Sequence, residues 1–256
     1  PEFFTGGGKL TLVGQQDKMT AEALDTGVTG WTKGDVHTSQ RGPLALTQVT
    51  ERGRVYTLDE LAGLTSVAKA HGLTTHMDGA RFANAMAALG CSAAEMTWKA
   101  GIDAVSFGGT KNGCLGVEAV IFFDPTHAWE FELRRNRGAH LFSKHRYLSA
   151  QMQGYLRDGL WKRVAAATNA KAARMIEGLR GVPEFEFLFE PEANMIFATL
   201  PRRIHRRLWE ADARYELHGS LDGPDEERLG MRLVVGWSVD EADIDRFVEI
   251  AGRGSR

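Results

Sequence analysis

The sequence predicts an α/β protein: a mixed, mostly parallel sheet in residues 1–160, followed by a smaller α+β unit in residues 161–256. Helical and strand-like periods alternate between residues 57 and 123. The 33 residues separating Asp78 from Lys111 match one strand–helix–strand crossover of about 30 residues. After Pro183 the long helical pattern gives way to short apolar, β-branched runs.

Taken in order, Thr57-Leu-Asp-Glu60 has the form of a capping box, and Leu61, Leu64, Val67 and Ala68 follow at helical spacing until Gly72. Leu73 to Met77 is predicted as a strand ending at Asp78. A second box, Ser92-Ala-Ala-Glu95, opens a helix that Gly101 closes. Ile102 to Phe107 and Val117 to Phe123 are the next strands. The link between them, Gly108 to Gly116, is too short for a crossover helix, so the second of these strands should return antiparallel. Leu148 to Leu179 reads as helix. The last part should hold strands at Phe185–Phe189, Asn194–Leu200 and Met231–Trp237, a helix at Ile204–Tyr215 and a loop at Gly219–Arg228. A third box, Ser238-Val-Asp-Glu241, should open the final helix.

Composition narrows the function classes. With 43% hydrophobic and 25% charged residues the chain is ordinary for a soluble globular protein. A formal net charge of -2 gives no global attraction for nucleic acid or an anionic membrane. No apolar stretch approaches the roughly 18 residues of a spanning helix. Arginines cluster at Arg134, Arg135 and Arg137 and at Arg202, Arg203, Arg206 and Arg207, and both clusters are expected to be solvated helix faces. Cys91 and Cys114 are too few for a disulfide framework or a zinc site, so a reducing cytoplasm is the default. The chain opens on Pro1-Glu2-Phe3-Phe4 without an initiator Met, as the interior of a longer protein would.

The chemistry concentrates in two stretches. His-Met-Asp-Gly-Ala-Arg (76–81) closes one predicted strand, and Gly-Gly-Thr-Lys-Asn-Gly (108–113) closes the next. In open α/β sheets ligands bind outside the carboxyl ends of the strands. A lone lysine in a turn is usually a surface residue. Lys111, however, lies among Gly108, Gly109, Gly113 and Gly116, which let a backbone approach a flat ligand. Pyridoxal phosphate (PLP) needs a lysine amine for a Schiff base and a carboxylate to keep its ring nitrogen protonated, and Lys111 and Asp78 are the candidates. Taken alone, Asp78 reads better as the cap of a helix starting near Ala80. Thr110 offers a hydroxyl and an N–H to phosphate, and Arg81 is within reach of the cofactor's phenolic oxygen or phosphate. His76 shares a strand face with Asp78 and is expected to support it by hydrogen bonding. Arg232 suits a bidentate clamp on a substrate carboxylate, provided its strand faces an interdomain cleft. Thr5-Gly-Gly-Gly-Lys9 fails the phosphate-loop pattern because Leu10 follows the lysine. His37, His140 and His145 have no partner at metal-ligand spacing, and no metal is expected.

Together, PEFFTGGGKL, LALTQVTERGRVYTLDEL, HMDGARFANA, SFGGTKNGCLG, RGAHLFSKHRYLSAQ and MRLVVGW resemble the low-specificity L-threonine aldolases, a family that includes phenylserine aldolases. The likeness runs from residue 1 to about residue 250. It implies the PLP-dependent transferase-like (aspartate aminotransferase) fold type I and cleavage of L-threonine, L-allo-threonine and related β-hydroxy-α-amino acids to glycine and an aldehyde. By resemblance Lys111 is the Schiff-base lysine, Asp78 the pyridinium partner, Arg81 a cofactor ligand and Arg232 the substrate-carboxylate arginine. A homotetramer or dimer is implied as well. Two departures stand out. Thr50 occupies the stretch in which a distant branch carries a histidine, and the family's N-terminal portion, with its phosphate-binding turn and ring-stacking histidine, precedes the part matched here. On that basis the 256-residue chain alone is expected to bind PLP weakly. The rival readings are a non-catalytic remnant, or a PLP enzyme of another reaction type such as transaldolase or β-elimination.

Overall fold

The computed structural model describes residues 2–31 and 33–253. Two short helices, α1 (Glu2–Thr5) and α2 (Ala21–Thr29), precede the first sheet, whose strands are β1 (Leu44–Thr47), β2 (Thr75–Gly79), β3 (Ala104–Gly108) and β4 (Glu118–Phe122). They lie in that spatial order, with β1, β2 and β3 parallel and β4 antiparallel to β3. The short link to β4 thus forces the reversal expected of it. Helix α3 (Leu58–Ala70) makes the first crossover, and its capping box is complete: the Thr57 hydroxyl accepts from Glu60 N–H while Glu60 accepts from Thr57 N–H.

The second crossover holds α4 (Phe82–Leu89) and α5 (Ala93–Met96). The Ser92–Glu95 box forms, but its helix lasts one turn, because Thr97 leaves helical geometry at φ -122°, ψ -105°. A 3₁₀ turn at Trp98–Ala100 follows, and Gly101 closes it at φ 88°. This is a correction to the single helix expected up to Gly101. Asp78 also lies inside β2 rather than beyond it, since the strand starts and ends about two residues later than its apolar run suggested.

Next come α6 (Ala128–Arg137), α7 (Arg146–Leu156) and α8 (Leu160–Arg180). The helical run expected from 148 to 179 is thus two helices, broken where Asp158 adopts φ 51°. The second sheet is antiparallel, in the order β5 (Glu186–Phe187), β6 (Met195–Pro201), β8 (Arg228–Val234), β7 (Glu216–His218). Helix α9 (Arg202–Glu210) connects β6 to β7, and α10 (Glu241–Gly252) ends the described chain. The third capping box is absent: Asp240 is the N-cap residue and makes no side-chain capping bond.

Each sheet has its own apolar core. Leu46, Met77, Val105 and Phe107 pack on one face of the first sheet with Phe82, Tyr155 and Trp161. Ile196, Ala198, Met231 and Leu233 form the second core with Leu208 and Ile244. Helix α8 belongs to both: Trp161 and Ala165 enter the first core, and Ala172, Met175 and Leu179 the second. The arginine clusters diverge. Arg134 makes the expected exposed pair with Glu130, while Arg135 is half-buried and pairs with Glu132. Arg202, by contrast, is 4% exposed and donates to the carbonyls of Ser220 and Pro224, while Arg206 donates to those of Leu221 and Gly223. The loop 219–228 folds around these two side chains, so the α9 cluster organises backbone rather than facing water.

Candidate active site

The carboxyl ends of β2 and β3 are drawn tightly together. A Cβ on Gly79 would stand 2.8 Å from the Ser106 carbonyl oxygen, and one on Gly108 would stand 2.6 Å from that of Ala80. Only glycine allows this approach. Asp78 leaves β2 opposite Ser106 on the half-exposed face, away from the Met77 core. Its Oδ1 accepts from Ala80 N–H at 2.9 Å, and Oδ2 has no partner among the described residues. Asp78 therefore shapes the turn into α4 without capping it in the usual way, since Arg81 is the N-cap residue. His76, on the same face, has Nε2 2.9 Å from Ser106 Oγ. Burial pushes the imidazole's pKa down, opposed in part by the charge of Asp78, so the ring is neutral beside that carboxylate.

Just past β3, residues Thr110–Asn112 form a 3₁₀ turn closed by Gly113 at φ 112°. Lys111 is exposed on it and pairs with no carboxylate among the described residues. Asn112 points the other way and is buried. Thr110 N–H donates to Glu118 at 3.3 Å, which leaves its hydroxyl as the open group.

Arg81, at the N-cap of α4, and Arg232, in the second sheet, act on each other electrostatically. Arg81 is 8% exposed, and its Nε is buried with no hydrogen-bond partner. Burial lowers the pKa of its guanidinium, and the like charge of Arg232 adds to that; Glu51 and Asp78 act in the opposite direction. Arg232 lies in β8 across from Phe197 and Glu216. It donates from Nη1 to Glu216 at 2.8 Å and sits over the Phe197 ring at 6.0 Å, yet its Nε is also buried and unpartnered. Two neighbouring guanidiniums, each with a buried Nε that no partner satisfies, concentrate positive charge at this point. Thus the structure gathers Asp78, Arg81 and Arg232 into one electrostatic cluster and sets the Lys111 turn on the adjoining strand end.

Thr50, 3% exposed, is committed to structure: its hydroxyl donates to Asp17 at 2.7 Å and accepts from Arg54 N–H. Sequence reasoning passed over Glu51, which acts on Arg81, and Glu216, which pairs with Arg232. Both depend on distant strand pairings that no local spacing reveals. A cavity of about 720 Å³ lined by Leu208, Tyr215, Glu216, Arg232 and Phe247 opens in the C-terminal unit; Lys111 and Asp78 do not line it.

A parallel sheet with an acidic strand end, a glycine-held lysine turn at the next and an arginine pair opposite is the layout of a fold type I, PLP-dependent enzyme. Solved structures agree on the fold: threonine aldolase from Leishmania major superposes with a TM-score of 0.84 at 23% identity, over 97% of this chain and 71% of that one. The β-eliminating lyase family model matches residues 1–201. Low-specificity L-threonine aldolase of Pseudomonas sp. (strain NCIMB 10558) is 39% identical over 246 residues, 95% of this chain and 68% of the relative. That of Pseudomonas aeruginosa is 42% identical over 256 residues, 98% of this chain and 69% of the relative. The chain belongs to the β-eliminating lyase family, in its low-specificity L-threonine aldolase branch.

Proposed function

We propose that the protein is a carbon–carbon lyase that cleaves L-threonine, L-allo-threonine and related β-hydroxy-α-amino acids to glycine and an aldehyde. The observation that carries the site assignment is the placement of two open groups on adjoining strand ends: Asp78 with a free carboxylate oxygen, and Lys111 with an unpaired amine. When bound, PLP supplies an electron sink for the pair left on Cα as the Cα–Cβ bond breaks. Lys111 would hold the cofactor covalently through its Nζ. Asp78 would keep the ring nitrogen protonated through its free carboxylate oxygen, while Oδ1 is engaged by Ala80 N–H. The neutral His76 leaves the Asp78 charge for that task. Arg232 would take the substrate carboxylate and so orient the bond to be broken, while Arg81, a cofactor ligand in this reading, sets its positive charge beside it. Thr110 Oγ1 is the group nearest in sequence to Lys111 that is free to meet the phosphate.

In this reading residues 1–160 hold the cofactor and residues 161–256 supply the substrate side through Arg232. A cytoplasmic setting accords with two free cysteines, Cys91 and Cys114. Among the described residues no helix is long and apolar enough to cross a membrane. A homotetramer or dimer accords with exposed Trp129, Phe142 and Tyr147 around α6 and α7. β-Elimination is the second reading, favoured by the match to the β-eliminating lyase family. Products separate the two: acetaldehyde and glycine from threonine by aldol cleavage, 2-oxobutanoate and ammonia by elimination. The direct test adds borohydride to the PLP-loaded protein and maps the modified peptide. Lys111 should carry the label, and Lys111→Ala should abolish it together with acetaldehyde release; a label on another lysine refutes the assignment.

A further inference from the structure

The Lys111 turn is anchored from beneath by a buried polar relay in an aromatic core. Asn112, 4% exposed, donates from Nδ2 to Tyr155 Oη at 2.6 Å and to the Trp161 carbonyl at 2.9 Å. Tyr155, also 4% exposed, in turn donates its hydroxyl to the Gly108 carbonyl at 3.4 Å. One phenol thereby meets both ends of the segment that carries Lys111, the last residue of β3 and the last residue of the 3₁₀ turn. The surroundings are Phe107, 5.9 Å from the Tyr155 ring, with Trp161 5.5 Å from Phe107.

A polar group at this depth is costly unless it is paired, so the relay admits few alternative arrangements. Burial pushes the Tyr155 hydroxyl up to about 12, which keeps its proton available for Gly108. Apart from the relay, the turn has the weaker hydrogen bonds of a short 3₁₀ segment, Asn112 N–H and Cys114 N–H both reaching the Gly109 carbonyl at 3.1 Å, with Thr110 N–H on exposed Glu118 and the Leu115 and Gly116 N–H groups on Gln151 of α7. The Lys111 side chain itself has no hydrogen bond or ion pair among the described residues.

We infer that Asn112 and Tyr155 are positioning residues that fix the Lys111 turn to α7 and α8, setting where the lysine amine is presented. The inference rests on the reading of Lys111 as the cofactor-bearing lysine. Tyr155→Phe is the informative variant, because it keeps the ring among its neighbours and removes only the hydroxyl. Phe82→Leu is the control: Phe82 touches the same aromatic cluster through Phe107 and Trp161 and takes no part in the relay.

Amide hydrogen exchange on the cofactor-free protein should show residues 109–114 exchanging about fivefold to tenfold faster in Tyr155→Phe, the factor expected from losing one buried hydrogen bond. Peptides in α7 and α8 should keep the parent's rates. Borohydride trapping of added PLP on Lys111 should slow by a similar factor, and Phe82→Leu should do neither. Parent-like exchange at 109–114 in Tyr155→Phe, or an equal increase in Phe82→Leu, overturns the anchor. Parent protein labelled on a different lysine refutes the functional reading instead, and the exchange result still decides whether the relay holds the turn.

Discussion

Arg232→Ala isolates the substrate-binding half of the site. In the parent protein one guanidinium edge is held by Glu216 at 2.8 Å, while Nε is buried and unpaired. Truncating one side of a charged, hydrogen-bonded pair costs about 2–5 kcal/mol. Here the lower part of that range applies, because the Arg232 side chain is 30% exposed and the positive charge of Arg81 remains nearby. A loss of about 2–3 kcal/mol corresponds to a roughly 30–150-fold fall in kcat/KM, borne mainly by KM. The fold should survive: the stranded Glu216 side chain is 54% exposed, and an exposed ion pair is worth about 1 kcal/mol or less. The assay is steady-state acetaldehyde release across a threonine series with different β-substituents. The penalty should be the same for each member, because the lost contact is to the carboxylate they share. Glu216→Gln should cost far less. An unchanged KM, or a penalty that tracks the β-substituent, refutes the carboxylate assignment and places Arg232 elsewhere in the cleft.

Other outcomes follow from the same geometry. Asp78→Asn retains an oxygen for Ala80 N–H but no charge for the ring nitrogen, so the melting temperature should stay near the parent's while turnover falls at least a hundredfold, to be read by circular dichroism and activity on one preparation. Gly108→Ala places a methyl 2.6 Å from the Ala80 carbonyl oxygen; prising β3 from β2 should cost about 1–3 kcal/mol in urea unfolding and weaken cofactor retention. His76 and His205 both have pKa values lowered by burial, so between the folded and unfolded values the unfolded chain binds more protons. Their contribution to stability is therefore present above the ordinary histidine pKa of about 6.5 and is lost as pH falls below it, and His205→Gln should flatten the drop in melting temperature between pH 7.5 and 5.5.

The placement of the candidate residues was legible in large part because its signals are local. Strand ends followed by glycines point to Asp78 and Lys111, and an interval of one crossover places them at the ends of neighbouring strands, Lys111 in the turn just past β3. The box at Thr57 depends on residues three apart and formed as read, whereas the one at Ser238 did not, because Asp240 took the cap. Strands β1 and β7 escaped notice: four and three residues are too short to show a period, and both exist through pairing with β2 and β8. The same limit hid Tyr155, which reads as one more residue of an amphipathic helix and reaches Gly108, 47 positions earlier, only in three dimensions. Arg202 was misplaced for a related reason: a helix arginine reads as solvated until a later loop supplies the carbonyls that bury it.

The sharing of α8 between two cores has a mechanical meaning. A helix of 21 residues, about 30 Å long, is a stiff rod on the scale of one side-chain contact. Its first two turns seat Trp161, whose carbonyl receives Asn112 beside Lys111, and its last turns seat Met175 and Leu179 behind the sheet that carries Arg232. A tilt imposed at one end therefore reaches the other as displacement rather than being absorbed along the way. Lysine and arginine, more than a hundred positions apart in sequence, are gauged against the same ruler.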